Sequence, residues 1–147
     1  MSMATMAAAM VIVASVAFQT SARETPAEAL AKAEAMWKAQ GLTNYRFGII
    51  RVCLCPRKGE TFEVVDGRAK ALRKADTAAR EVDESYGTIE GLFAQIRVAI
   101  ETGAHRLAVK YHSKLGYPTS VEIDPRKDAF DDEVSYGVIG FKITKIR

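Results

Sequence analysis

The chain has 147 residues, a length that fits one globular domain and leaves too little material for two cores of ordinary size. Hydrophobic residues make up 48% of it and charged residues 27%, a composition that excludes a disordered or low-complexity chain and is typical of a packed domain. The net charge of +3 is too small to hold a phosphate backbone by electrostatics alone, so nucleic acid is not an expected partner.

The N-terminal segment has the pattern of a secretory signal. An uncharged apolar run of 16 residues covers positions 3–18, and small residues separate it from the first charged side chain. Because a membrane-spanning helix needs ~20 residues, we expect cleavage after Ala22 and no stable membrane insertion afterwards. Retention as an uncleaved anchor is the alternative, since no Lys or Arg precedes the run. The sequence therefore predicts a signal peptide over 1–22, a single domain over 23–147, and export to the periplasm or the exterior.

Two helices are predicted from their caps and their periodicity. The TPAE segment that begins at Thr25 is a capping-box pattern with proline at the first helical position, and Gly41 supplies the left-handed residue that ends many helices. Thr88 begins a second segment, whose apolar residues follow a 3.6-residue period until Gly103. Both segments are therefore expected to bury one face against a core.

Three predicted strands follow the first helix. A long apolar run over 45–55 comes first, and two shorter strands then flank Asp66-Gly67, which is a strong signal for a two-residue hairpin turn. Because such a turn fixes the register, we expect Val64 to lie opposite Ala69, with apolar pairs on one face of the hairpin.

The second half of the chain repeats this order. Apolar and polar residues alternate over 106–111, 119–123 and 139–143, which predicts three more strands. The matching spacings in residues 25–73 and 88–146 favour an internal duplication. We therefore predict an α+β fold, with two α-β-β-β halves forming an antiparallel sheet of about six strands and two helices packed on one face. The predicted core contains Leu30, Trp37, Phe62, Val64, Phe93, Ile96, Val109, Val121 and Phe141.

Cys53 and Cys55 are the only cysteines, and a separation of two residues on a strand points both side chains to the same face. Their Cα atoms would lie about 6.6 Å apart on an extended strand, so a disulfide between them requires a bent backbone. A structural pair, a redox pair and a site for a soft metal such as Cu(I) all stay open. A four-ligand zinc site is not expected, because His105 and His112 lie on opposite faces of one predicted strand.

Other polar clusters favour structural roles. The acidic segment over 124–133 is interpreted as a solvated loop, because Arg126 occupies a position where a calcium loop has a ligand and Ala129 replaces its glycine. The sequence contains no nucleophile elbow and no glycine-rich phosphate loop. No catalytic residue and no cofactor is therefore predicted.

The chain resembles bacterial exported proteins classed as domain-of-unknown-function family 6174, over roughly residues 36–141. The resemblance rests on a series of short motifs, which are Trp37, Asn44-Tyr45, Cys53-x-Cys55-Pro56, Val65-Asp66-Gly67, Thr88-Ile89-Glu90-Gly91-Leu92-Phe93, Val109-x-Tyr111, Gly116-Tyr117-Pro118, Asp124-Pro125 and Asp131-Asp132-Glu133. It implies export and a small α+β domain, and it implies no activity.

We expect the protein to be a non-catalytic binding or structural module of the cell envelope. In this interpretation the open face of the sheet or the hairpin tips contact a protein partner, and Gly116, Tyr117 and Pro118 form a candidate partner-facing loop. The alternative is a thiol redox or soft-metal-binding module that uses the Cys53-x-Cys55 pair. A third hypothesis, an unrecognised hydrolase, would require a deep pocket with convergent polar groups.

Overall fold

The structure is a computed structural model. It describes residues 23–53, 58–72, 80–81, 84–129 and 131–144. The predicted signal segment, residues 1–22, and one of the two cysteines, Cys55, lie outside the described residues.

Both predicted helices are confirmed. Helix α1 spans Pro26–Ala39 and α3 spans Ile89–Glu101, and a single turn, α2, covers Glu84–Gly87 in the segment that joins the halves. The capping box at α1 is complete, because the Thr25 hydroxyl accepts the backbone N–H of Glu28 and the Glu28 carboxylate accepts that of Thr25.

The strands form one antiparallel sheet in the order β4-β3-β2-β1-β7-β6-β5. Their bounds are Tyr45–Val52 for β1, Lys58–Val65 for β2, Arg68–Leu72 for β3, Arg80–Glu81 for β4, Arg106–Tyr111 for β5, Pro118–Asp124 for β6 and Val134–Ile143 for β7. The α+β prediction is thus confirmed with six full strands, and the two-residue β4, which lies between the two predicted halves, adds a short seventh. The hairpin register is also as predicted, since Val64 lies opposite Ala69.

The two halves meet at the centre of the sheet, where β1 of the first half pairs antiparallel with β7 of the second. This arrangement leaves β5 at one end of the sheet, next to β6. An internal duplication of the two halves stays a prediction.

One hydrophobic core lies between the sheet and the two long helices. Of the predicted core residues, Val109 and Phe141 are half-buried against this core, and the others are buried. Trp37 is 3% exposed, and its ring makes edge contacts with the rings of Tyr45 and Phe141. Because α1 and α3 contribute to the same cluster, both helices pack on one face of the sheet.

The last strand differs from its predicted alternation. Ile139 and Phe141 were expected on one face, but Ile139 is 53% exposed while Phe141 packs against the core. The reason is a β-bulge in the pairing of β7 with β1. Two residues of β7, Gly140 and Phe141, lie opposite the single residue Phe47 of β1. Gly140 takes a φ of 60°, which a glycine adopts without steric cost, and the extra residue reverses the phase of the strand.

Candidate functional site

The Glu90 carboxylate at the start of α3 accepts hydrogen bonds from two other elements of the fold. Its Oε1 accepts a hydrogen bond of 2.7 Å from the indole Nε1 of Trp37, and its Oε2 accepts one of 2.8 Å from the Tyr45 hydroxyl. The same hydroxyl accepts the backbone N–H of Ile89 at 3.0 Å, and the Thr88 side chain accepts that of Gly91. These contacts join α1, β1 and the N-terminus of α3.

These hydrogen bonds connect the two long helices to the sheet, which is a structural role. Burial, together with the negative charge of Glu90, holds the pKa of Tyr45 far above its usual value, so this hydroxyl stays a donor at physiological pH. A cleft of about 330 Å³ lies beside the network, between α1 and α3, and an ion pair between Arg97 and Glu34 is part of its lining. Each Glu90 oxygen accepts a hydrogen bond from a different element, so this carboxylate positions the two helices relative to β1.

Cys53 follows the end of β1, and its side chain is half-buried. Its thiol is not free in the structure. Cys55 lies outside the described residues, so a bond between Cys53 and Cys55 stays a prediction.

The structure places Gly116, Tyr117 and Pro118, the candidate partner-facing loop, in buried positions within the chain. Gly116 has a φ of 79°, and a Cβ built on it would lie 2.3 Å from the carbonyl oxygen of Ala33 in α1. Tyr117 stacks on Phe141 with ring centroids 4.5 Å apart. These residues anchor the β5–β6 connection under α1 and present little surface to a partner.

The histidines and the acidic loop take structural positions. His105 is exposed, whereas the Nδ1 of His112 accepts the backbone N–H groups of Lys114 and Leu115 and thereby shapes the turn after β5. In the acidic loop, the Arg126 guanidinium donates to Asp132 at 3.0 Å. Within the described ranges no group of three or more potential metal ligands comes together.

The feature that is open to a partner is the outer edge of β5. This strand pairs with β6 on one side, and in the part of the chain that the structure describes no strand pairs with its other side. The backbone N–H of His105 donates to Pro125 at 3.3 Å toward β6. Along an edge strand, the backbone groups of successive residues face alternately the neighbouring strand and the free edge. Since the N–H of His105 faces β6, the backbone groups of Arg106 and Ala108 face the free edge.

A groove of about 330 Å³ runs along this edge. The side chains of Leu107, Val109 and Tyr111 face the helices and are half-buried, so they form an apolar wall of the groove. Burial, and secondarily the charge of Glu34, raises the pKa of Tyr111 to about 12, so its hydroxyl stays neutral there. The described residues that line the groove are Glu24, Thr25, Pro26, Ala29, Ile96, Leu107, Ala108, Val109, Lys110, Tyr111, Ser120 and Glu122. We name this feature the β5 groove.

Sequence reasoning identified β5 as a strand but did not place it at the edge of the sheet. Its alternating pattern is the same as that of β6, which lies inside the sheet, and the pattern carries no information on pairing partners. The Glu90 network was likewise missed, although Glu90 stands in one of the motifs that carry the family resemblance.

Comparison with known proteins identifies a family and no characterised relative. The model of a family described as a family of unknown function, DUF6174, matches residues 29–143. No curated protein and no solved structure matches the chain. None of the helices in the described residues has the length and hydropathy needed to cross a membrane.

Proposed function

The chain belongs to the DUF6174 family of unknown function, and from that premise we propose that it is an exported, non-catalytic binding module of the cell envelope that captures a protein partner along the edge of its sheet. The observation that carries the proposal is the β5 groove, in which a strand edge that no other described strand pairs with lies beside an apolar wall. Strand edges of this kind bind extended segments, because the backbone of the added segment completes the ladder.

The geometry favours the edge over the sheet face and the hairpin tips that the sequence suggested. On the outer face of the sheet, the aliphatic residues Ile50, Val52 and Ile139 lie on the neighbouring strands β1 and β7, and each of these strands pairs with another strand on both sides. The β5 groove instead combines backbone groups that pair with no strand in the described ranges with half-buried apolar side chains, which supply both components of strand addition.

Site-specific photocrosslinking in the producing cells tests this function. A photoreactive residue at Glu24, an exposed residue in the lining of the β5 groove, is expected to give a discrete adduct with another protein, whereas one at the exposed Ala94 of α3 is not. The variant Ala108→Pro removes a backbone N–H that faces the free edge, and we expect it to abolish the adduct. Absence of adducts, or adducts that persist in this variant, would contradict a binding role for the edge.

A thiol module is a second candidate, and the observation in its favour is that Cys53 is not a free thiol. In this case the Cys53-x-Cys55 pair would exchange disulfides with other thiols or, in its reduced form, hold a soft metal such as Cu(I). Equilibration with glutathione buffers, followed by mass spectrometry, tests it. A redox role requires a potential above about −300 mV, whereas a pair that stays oxidised at lower potentials is structural.

A further inference from the structure

We propose that the β5 groove binds an extended segment of a partner protein that alternates apolar and acidic residues, added as an eighth, antiparallel strand. This inference rests on the proposed binding function and names the chemistry of the partner. It is carried by the two faces of β5, by the strand that already pairs with it, and by the charges along its edge.

The inward face of the groove selects apolar residues at every second position. Leu107, Val109 and Tyr111 point toward the helices, and Ile96 of α3 and Ala29 of α1 complete the lining on that side. A segment paired with β5 places alternate side chains on this face, directly beside these groups. Polar side chains at those positions would lose their hydration without gaining a hydrogen-bond partner.

The outward face selects acidic residues. On β5 it carries Arg106 and Lys110, which are both exposed. Arg106 already pairs with Glu122 of β6 at 3.4 Å, whereas Lys110 lies opposite Ser120 and belongs to none of the ion pairs among the described residues. A carboxylate on the added strand, opposite or diagonal to Lys110, would supply the missing charge.

Strand β6 shows which pattern β5 accepts. Val121 and Ile123 of β6 face the core, where they pair with Val109 and Leu107. The residues between and after them, Glu122 and Asp124, are acidic and lie on the outward face. The partner segment is therefore expected to repeat the alternation that this chain already uses on the other side of β5.

The same charges disfavour a second copy of this chain as the occupant. If two β5 strands paired around a twofold axis at Val109, both Arg106 and both Lys110 side chains would lie on one face of the joined sheet. Like charges at neighbouring cross-strand positions are destabilising, so self-pairing is opposed where an acidic segment is attracted. Cationic edge residues are also a common protection against edge-to-edge association of identical chains.

Binding of synthetic peptides to the purified protein tests the proposal. The probe is a fluorescent peptide that copies residues 118–124, PTSVEID, extended by a further Val-Glu pair to continue the alternation. Two control peptides are matched to it. One has the same composition in an order that destroys the alternation, and the other has lysine in place of each acidic residue. Fluorescence anisotropy is expected to show saturable binding of the alternating acidic peptide, and at least about tenfold weaker binding of both controls.

Two protein variants identify the surface that is used. Ala108→Pro keeps the ladder between β5 and β6, because the N–H of this residue faces the free edge, and it should weaken peptide binding at least about tenfold. Lys110→Glu should weaken binding of the acidic peptide and strengthen that of the lysine peptide, which a merely structural role of Lys110 would not produce. The control is placed at Ala94, an exposed residue in the middle of α3. Ala94→Pro would break this helix, so Ala94→Ser is the neutral control variant.

Several outcomes overturn the proposal. Equal binding of the alternating and the reordered peptide would contradict strand addition. Undiminished binding to Ala108→Pro would show that the peptide displaces β6 or binds at another surface. Concentration-dependent dimers that the same variant abolishes would assign the edge to a second copy of the chain. If the photocrosslink at Glu24 forms in cells but the acidic peptide does not bind, the binding function stands and the partner chemistry is wrong. If the peptide binds but no crosslink forms, the groove has this chemistry and the proposed cellular function is wrong.

Discussion

The indole Nε1 of Trp37 donates a hydrogen bond of 2.7 Å to Oε1 of Glu90, a residue 53 positions later in the chain. The indole is buried, and its only polar atom therefore needs a partner inside the protein. Glu90 provides this partner from the first turn of α3, where a negative charge also interacts favourably with the helix dipole. One side chain thus sets the position of α3 relative to α1.

Glu90→Gln should destabilise the protein by about 1–3 kcal/mol, because an amide nitrogen cannot accept a hydrogen bond and one of the two donors loses its partner. Urea unfolding followed by the fluorescence of Trp37 measures this loss. Glu101→Gln, an exposed position at the other end of α3, is the control and should change the free energy of unfolding by less than about 0.5 kcal/mol. Equal effects of the two substitutions would show that the Glu90 network contributes nothing specific.

Tyr45 makes stability depend on pH in the alkaline range. Its pKa is raised in the folded state by burial and by the charge of Glu90, so above its unfolded pKa, about 10, the unfolded chain loses a proton that the folded chain keeps. The resulting stability is fully present below pH ~10 and falls by up to about 1.4 kcal/mol per pH unit above it. Urea unfolding from pH 8 to 11.5 measures this slope. Tyr45→Phe should reduce it, and an unchanged slope would contradict the assignment.

Gly116 and Gly103 both have positive φ, of 79° and 66°, but only Gly116 is crowded. Gly116→Ala brings a Cβ against the Ala33 carbonyl in addition to the backbone strain, so we expect a loss of about 3 kcal/mol or more. Gly103→Ala meets no atom within 4 Å and should cost only about 1 kcal/mol of backbone strain. Thermal or urea unfolding compares the two, and a smaller loss at Gly116 than at Gly103 would place the loop away from α1.

The signal segment is predicted to be removed. Intact-mass spectrometry of the protein recovered from the cell envelope or the medium should show a chain that begins at Arg23, since the small residues before it suit a signal peptidase. A product that still begins at Met1 would instead favour the uncleaved anchor.

The cysteine pair is predicted to stabilise the fold only slightly. A bond between Cys53 and Cys55 closes so short a loop that the double variant Cys53→Ser, Cys55→Ser should lose no more than about 2 kcal/mol. Unfolding of the double variant and of the parent under oxidising conditions measures the difference. A much larger loss would show that the two residues hold the first hairpin together through more than loop closure.

The sequence by itself determined the features that depend on near neighbours in the chain. The capping box at Thr25, the ends of both helices and the hairpin register at Asp66 all follow from residues within a few positions of each other, because turn and cap geometry is fixed by local backbone preferences. Alternation also predicted the faces of most strands, and therefore most of the core.

Only the tertiary structure decided the features that depend on distant partners. Alternation is the same in β5 and β6, so the chain pattern could not show that β5 ends the sheet and leaves a groove beside it. The bulge at Gly140 reverses the strand phase through pairing with Phe47, far away in the sequence. The Glu90 carboxylate acquires its role only when α1, β1 and α3 meet. In each case the cause is a contact between segments that the chain brings together after folding, and no local preference specifies such a contact.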